Sequence, residues 1–167
     1  MIILGIDPGY AITGYALIDY KEQKYKVLDY GLIKTRAKSY FPDRLLVIEE
    51  SLEKLIGQFK PDVMAVEELF FSRNTTTAMG TAQARGVAVV TGSRHKMPVF
   101  EYTPKQIKLA VTGYGLAEKA QVQEMVKVLL SLEKIPKPDD VADAIAVALC
   151  HAHNGNRREF LAVGGYQ

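Results

Sequence analysis

The chain reads as an α/β protein, a five-stranded mixed sheet flanked by helices. Three observations predict this. Residues 1–6 form a continuous apolar run, which suits a central strand buried on both faces. Two further β-rich segments follow it, separated only by the short polar stretch 20–23, the pattern of an antiparallel meander. An amphipathic helix over 42–59 then leads into the short apolar run 63–67, so the fourth strand is reached by a helical crossover and lies parallel to the first.

The elements follow in order. Asp7-Pro8-Gly9 breaks the first strand with a tight turn, and strands are expected over 12–19 and about 24–34. In the helix at 42–59, Leu45, Ile48, Leu52, Leu55 and Phe59 recur at helical spacing, and Pro61 prevents its continuation. Residues 75–93 read as a helix with a small-residue face of Ala78, Ala82, Gly86 and Val89, which allows close approach of another helix, from this chain or a second subunit. A fifth strand is expected at 98–102. Thr103-Pro104 reads as an N-cap with proline at the first helical position, opening a helix to about 111. Val122, Met125, Val126, Leu129 and Leu130 mark a helix over 118–131. Residues 135–138 form a rigid break, and Pro138 opens a last helix over 138–153. One domain is expected over 1–153, with a flexible tail over 154–167.

The 167 residues are enough for one domain with a sizeable core. A net charge of +2 neither announces nor excludes a nucleic-acid binder, because a local basic surface matters more than the total. The single Cys150 excludes an intrachain disulfide and fits a reducing cytoplasm; its apolar neighbours imply a buried, inert thiol. The N-terminal apolar run turns polar at Asp7, too early for a signal peptide or a membrane span.

The chemistry resides in carboxylates. Asp7 ends the first strand and Glu67 the fourth; if these strands are parallel neighbours, both acids emerge at one carboxyl edge of the sheet, where α/β folds place their sites. Glu68 should point to the opposite face. Asp140 and Asp143 share a face of the last helix; Asp139 and Asp143 do so nearly as well, and spacing does not choose between Asp139 and Asp140. Either could simply favour the helix N-terminus. Asp143 lies deeper in an almost wholly apolar helix, where a charge needs a partner or a cation. Clustered carboxylates repel one another unless a cation neutralises them, and hard oxygen donors suit Mg²⁺ or Mn²⁺. The pattern implies a two-metal nuclease centre. No P-loop motif is present, and His151, His153 and His95 lack zinc-site spacing.

At these residues the chain resembles the RuvC family of crossover (Holliday) junction endodeoxyribonucleases, of the ribonuclease H-like superfamily. The resemblance is carried by Gly5-Ile6-Asp7-Pro8-Gly9 with Thr13-Gly14-Tyr15, by Ala65-Val66-Glu67 with Phe70, and by Gln83-Ala84-Arg85-Gly86-Val87-Ala88. Val99-Phe100-Glu101-Tyr102, Ala117-Glu118-Lys119 with Gln121-Val122, and Asp140-Val141-Ala142-Asp143-Ala144 continue it in unbroken order to about residue 153. The resemblance implies a Mg²⁺-dependent homodimer, with two ions per subunit and Mn²⁺ able to substitute, that nicks four-way DNA junctions in paired, symmetric fashion. It implies work beside a branch-migration motor of the RuvA–RuvB type in recombination and repair. It assigns the metal-binding and catalytic acids to Asp7, Glu67, Asp140 and Asp143, and so selects Asp140 over Asp139, whose own role stays open. Some relatives carry histidine where this chain has Asp143.

The resemblance also implies DNA contacts from Lys108 and Lys119 and stacking of Phe70 on bases at the junction centre; the basic residues Lys105, Arg73 and Arg85 are lesser candidates, and Phe71 is expected to pack inward. The small-faced helix is the expected dimer interface. Three rivals remain: an actin-like or sugar-kinase ATPase, which generally needs two such domains; a ribosomal-RNA-processing nuclease of the same superfamily; and a non-catalytic junction-binding module, against which the intact acidic set argues.

Overall fold

Side-chain alternation along the first strand, β1 (Ile2–Asp7), divides the molecule into two layers. Ile3 joins one hydrophobic core, and Leu4 and Ile6 join the other. The structure is a computed structural model that describes residues 1–69 and 75–155, without the side chains of residues 75 and 76. β2 (Ile12–Lys21) and β3 (Lys24–Lys34) complete an antiparallel meander with β1, with a register shift at Leu17/Ile18. β4 (Val63–Glu67) and β5 (Val99–Tyr102) add in parallel on the other side, giving the order β3-β2-β1-β4-β5. Parallel strands need crossovers, and α1 (Phe41–Phe59) and α2 (Thr75–Arg94) supply them over the Leu4 and Ile6 face. The opposite face carries α3 (Pro104–Thr112), α4 (Lys119–Leu129) and α5 (Asp139–Asn154).

Local chemistry sets the helix ends. Thr103 Oγ1 accepts from the Gln106 amide at 3.1 Å and Gln106 Oε1 accepts from the Thr103 amide at 2.8 Å, a complete capping box with Pro104 behind it. Gly113, at φ 76°, closes α3 in the left-handed region that glycine enters without steric penalty. α5 starts one residue later than expected: Pro138 keeps an extended backbone and serves as N-cap, so Asp139 is the first helical residue. α5 also runs one residue further, to Asn154; of the tail expected from there, residues 156–167 lie outside the described residues.

α5 is the centre of its layer. From Val141 to Ala152 every side chain but that of Asp143 is buried. Its backbone passes so close to the sheet that a Cβ on Gly5 would stand 2.3 Å from the Ala144 carbonyl oxygen, and one on Gly14 would stand 2.1 Å from that of Asp140. The small-residue face expected to receive a neighbour on α2 is only half-buried at Ala78, Ala82, Gly86 and Val89. α2 meets the rest of the chain instead through Gly80, against the Tyr10 ring, through Ala84 and Ala88 in the core, and through Gly92, against Val99.

Substituting Gly5→Ala should destabilise the protein by at least about 2 kcal/mol, because the obstructing atoms belong to a helix backbone that has no rotamer to escape into. Gly57→Ala in α1, where an added Cβ meets nothing within 4 Å, should instead be neutral or stabilise by up to about 1 kcal/mol. Urea unfolding of the two variants beside wild type checks both signs.

Candidate active site

Each acid reaches the site for an identifiable reason. Asp7 is the last residue of β1 and alternates with Ile3 and Gly5, so it faces the α5 layer. The turn behind it is pinned by buried Thr13, whose hydroxyl donates to the Gly9 carbonyl at 2.7 Å. Glu67 ends β4 and alternates with Val63 and Ala65, which belong to the same layer. Parallel pairing of Ile6 with Val66 sets Asp7 and Glu67 side by side at the carboxyl edge of the sheet. α5, seated on Gly5 and Gly14, brings Asp140 and Asp143 across to them. Glu68 leaves the strand, its amide donating to the Tyr102 carbonyl at 2.9 Å.

The acids are held under electrostatic stress. Burial, and then repulsion from Glu67, Asp143 and Asp140, push Asp7 up to about 8. Burial and Asp143 push Glu67 up to about 7, against a hydrogen bond with Asp7 and the nearby Lys119 ammonium. Burial raises Asp143 as well, with Lys119 opposing. Lys119 Nζ lies 2.8 Å from Asp143 Oδ2 and 3.4 Å from Asp139 Oδ2. Glu67, Asp143, Lys108 and Lys119 line a cleft of about 260 Å³ whose remaining wall is apolar, from Pro104, Ile107, Val122 and Ala146.

The donor set fits a divalent cation. All four acids offer hard oxygen, burial and then mutual repulsion raise three of their pKa values, and the Lys119 ammonium stands in for a cation at Asp143. Among the described residues no three His, Cys, Asp or Glu side chains converge on a single point, so the fit rests on donor chemistry and charge.

The other expected site residues divide. Lys108 and Lys119 share the cleft with the acids. Lys105 is exposed one turn before Lys108, its stem beside Gly115. Arg85 is committed to Glu101 of β5 at 2.6 Å, with about a fifth of each side chain exposed. Phe70, Phe71 and Arg73 lie outside the described residues. His151 lies in the last turn of α5 and is also a core residue: its Nδ1 is 2.7 Å from the Tyr102 hydroxyl and its ring packs on Phe100. Cys150 is fully buried, and burial pushes its thiol up to about 12. The reading of the residues missed Thr13 as the turn's fastening and Gly14 as the seat of α5; the Thr-Gly pair after the Asp-Pro-Gly turn was the available signal.

The raised acids fix the sign of a pH effect. A carboxylate whose folded pKa lies above its unfolded value leaves the fold most stable below about pH 4 and loses that stability as pH rises through the folded value. For Asp7 and Glu67 the loss falls between about pH 4 and about pH 8. In EDTA, Asp7→Asn should therefore raise stability at pH 8, by about 0.5–2 kcal/mol, and flatten this slope. Thermal melts of both proteins at pH 5 and pH 8 measure it; a slope unchanged by the substitution would remove Asp7 as its source.

A family model described as crossover junction endodeoxyribonuclease RuvC matches residues 3–151. A protein of that description from Alkaliphilus metalliredigens (strain QYMF) is 57% identical over 163 residues, 98% of this chain and 99% of the relative. Another, from Alkaliphilus oremlandii (strain OhILAs), is 54% identical over 163 residues with the same coverage. Among solved structures, T. thermophilus RuvC in complex with Holliday junction substrate matches with a TM-score of 0.86 at 30% identity, over 94% of this chain and 96% of that one. With its acids gathered at the edge of a ribonuclease H-like sheet, the chain belongs to the RuvC family of crossover junction endodeoxyribonucleases.

Proposed function

We propose that this chain resolves four-way DNA junctions by paired, symmetric nicks, with two Mg²⁺ ions per subunit held by Asp7, Glu67, Asp140 and Asp143. In this reading Mn²⁺ substitutes for Mg²⁺, and the protein works in the cytoplasm as a homodimer beside a branch-migration motor of the RuvA–RuvB type. Among the described residues no helix is long and apolar enough to cross a membrane. One observation carries the reading: Glu67 and Asp143, from distant segments, line one cleft with Lys108 and Lys119, and Asp7 lies near enough to be repelled by both acids.

The chain's own residues perform separable tasks. The tetrad concentrates negative charge where a phosphodiester must approach, so the backbone is repelled until that charge is neutralised. Divalent ions bound there supply that neutralisation and the Lewis acidity that hydrolysis of a phosphodiester needs. Lys108 and Lys119, in the same cleft as the acids, attract the phosphate, and the apolar wall of Ile107, Val122 and Ala146 limits water around the reacting bond. By family resemblance Phe70 extends the DNA surface, with Lys105 and Arg73 as lesser basic candidates; Arg85 is instead committed to Glu101 and ties α2 to β5.

Two-fold symmetry suits a substrate with equivalent strands. The α1 and α2 layer offers a groove of about 520 Å³ lined by Leu45, Leu46, Gly86, Val87 and Val90, on the face opposite the acids. Leu46 and Val90 are each at least half exposed. Ala82→Leu on this half-buried face should shift the protein toward monomer, and analytical ultracentrifugation that finds an unchanged dimer would clear α2 of that role.

The deciding experiment is cleavage of a mobile synthetic four-way junction with Mg²⁺, beside a linear duplex and a structured RNA. Symmetric nicks in the junction alone are expected, falling at least about a hundredfold in Asp7→Asn, beyond what loss of an outer-sphere partner costs. Equal cleavage of the RNA, or binding without nicking, would overturn the reading.

A further inference from the structure

Asp139 stands outside the four acids of the tetrad yet is tied to their cleft. Its Oδ1 accepts from Lys137 Nζ at 3.1 Å, its Oδ2 lies 3.4 Å from Lys119 Nζ, and the buried Gln123 of α4 hydrogen-bonds to it as well. The same Lys119 ammonium lies 2.8 Å from Asp143 Oδ2. One cation is therefore shared between an acid of the tetrad and an acid one helical turn before it. Lys119 swings from a fixed root: it is the first residue of α4, whose start is locked by the reciprocal hydrogen bonds of Glu118 and Gln121.

The two acceptors differ in their surroundings. Asp143 is 28% exposed and lines the cleft with Glu67; Asp139 is 48% exposed and does not line it. A divalent cation that claims Asp143 must displace the ammonium. Without a second anion in reach, the displaced charge would be left unpaired beside a doubly charged ion. Asp139 is that anion: it is already in contact, and Lys137 and Gln123 hold it in place. A direct ligand role for Asp139 is disfavoured by the same contacts, because each of its oxygens already faces an ammonium and it does not line the cleft.

We infer that Asp139 is a positioning residue for Lys119, receiving its ammonium when a divalent cation takes Asp143, so that cations exchange on Asp143 while Lys119 stays at the cleft for phosphate. The inference rests on the metal-site reading above and concerns how that site is loaded.

The test is a double-mutant cycle read by Mn²⁺ binding, followed by electron paramagnetic resonance of the free ion, without DNA and at low ionic strength. The proteins are wild type, D139N, K119M and the double variant, with D7N as control. Lys119 and Asp139 are each about half exposed, so neither substitution disturbs the core. D139N should weaken Mn²⁺ binding about two- to fivefold, the range an exposed charge pair supplies. K119M should tighten it, because the competing cation is gone. In the K119M background, D139N should have a clearly smaller effect than it has alone. An equal effect in both backgrounds would mean that Asp139 acts through its own charge or as a ligand, and would overturn the inference. So would no effect in either. Mn²⁺ binding that D7N leaves unchanged would sink the metal-site reading itself, whereas binding lost in D7N with no coupling between Asp139 and Lys119 would sink this inference alone.

Discussion

The whole arrangement depends on how closely α5 lies on the sheet. At Gly5 and Gly14 the helix backbone occupies the space where a side chain would be, and the small residues Ala144 and Ala148 complete the contact. A helix held at ordinary distance by larger residues would carry Asp140 and Asp143 away from Asp7 and Glu67. Close seating also explains why α5 is buried almost throughout and why small and aliphatic residues, alanine above all, fill its middle. The only charged side chains it can carry are those at its exposed start and Asp143, which opens into the cleft.

That seating creates a conflict between stability and chemistry. Burial and mutual repulsion raise Asp7, Glu67 and Asp143 together, so the fold holds the acids in a state that solvent would not favour. Lys119 relieves part of the stress for all three, although it is rooted on α4 and makes contact only with Asp143 among them. The rest of the chain supplies rigidity: Thr13 across the Asp-Pro-Gly turn, Arg85 with Glu101 between α2 and β5, and Tyr102 with His151 between β5 and α5. Each tie joins an element that bears an acid, or the strand beside one, to its neighbour.

The two layers of the sheet carry different duties. Chemistry stands on the α3, α4 and α5 side, where strand ends and helix faces converge. The α1 and α2 side has a full core under it and half-buried apolar residues above, which leaves a surface free for association without crowding the cleft. Alternation along β1 and β4 is what separates them, since consecutive residues must face opposite layers.

Much of this was legible in the amino-acid sequence. Apolar runs, helical spacing, small-residue composition and capping signals located the five strands and five helices of the described residues to within a few residues. The crossover rule made β4 parallel to β1, and that alone put Asp7 and Glu67 at one edge. What local pattern could not decide was anything depending on the distance between elements. Asp139 and Asp140 are nearly equivalent by helical spacing, yet in the fold it is Asp139 that pairs with Lys119 and Lys137. Arg85 read as a lesser candidate for DNA contact because nothing near it in the chain shows that Glu101 faces it from β5. Gly14 read as part of a motif, while its role as the seat of α5 comes from a helix that begins more than a hundred residues later. The sequence by itself determined which segments are strands and helices and which acids end them, because those properties are set by neighbours along the chain. Tertiary structure alone decided which charges meet, because Coulomb and steric terms depend on separation in space.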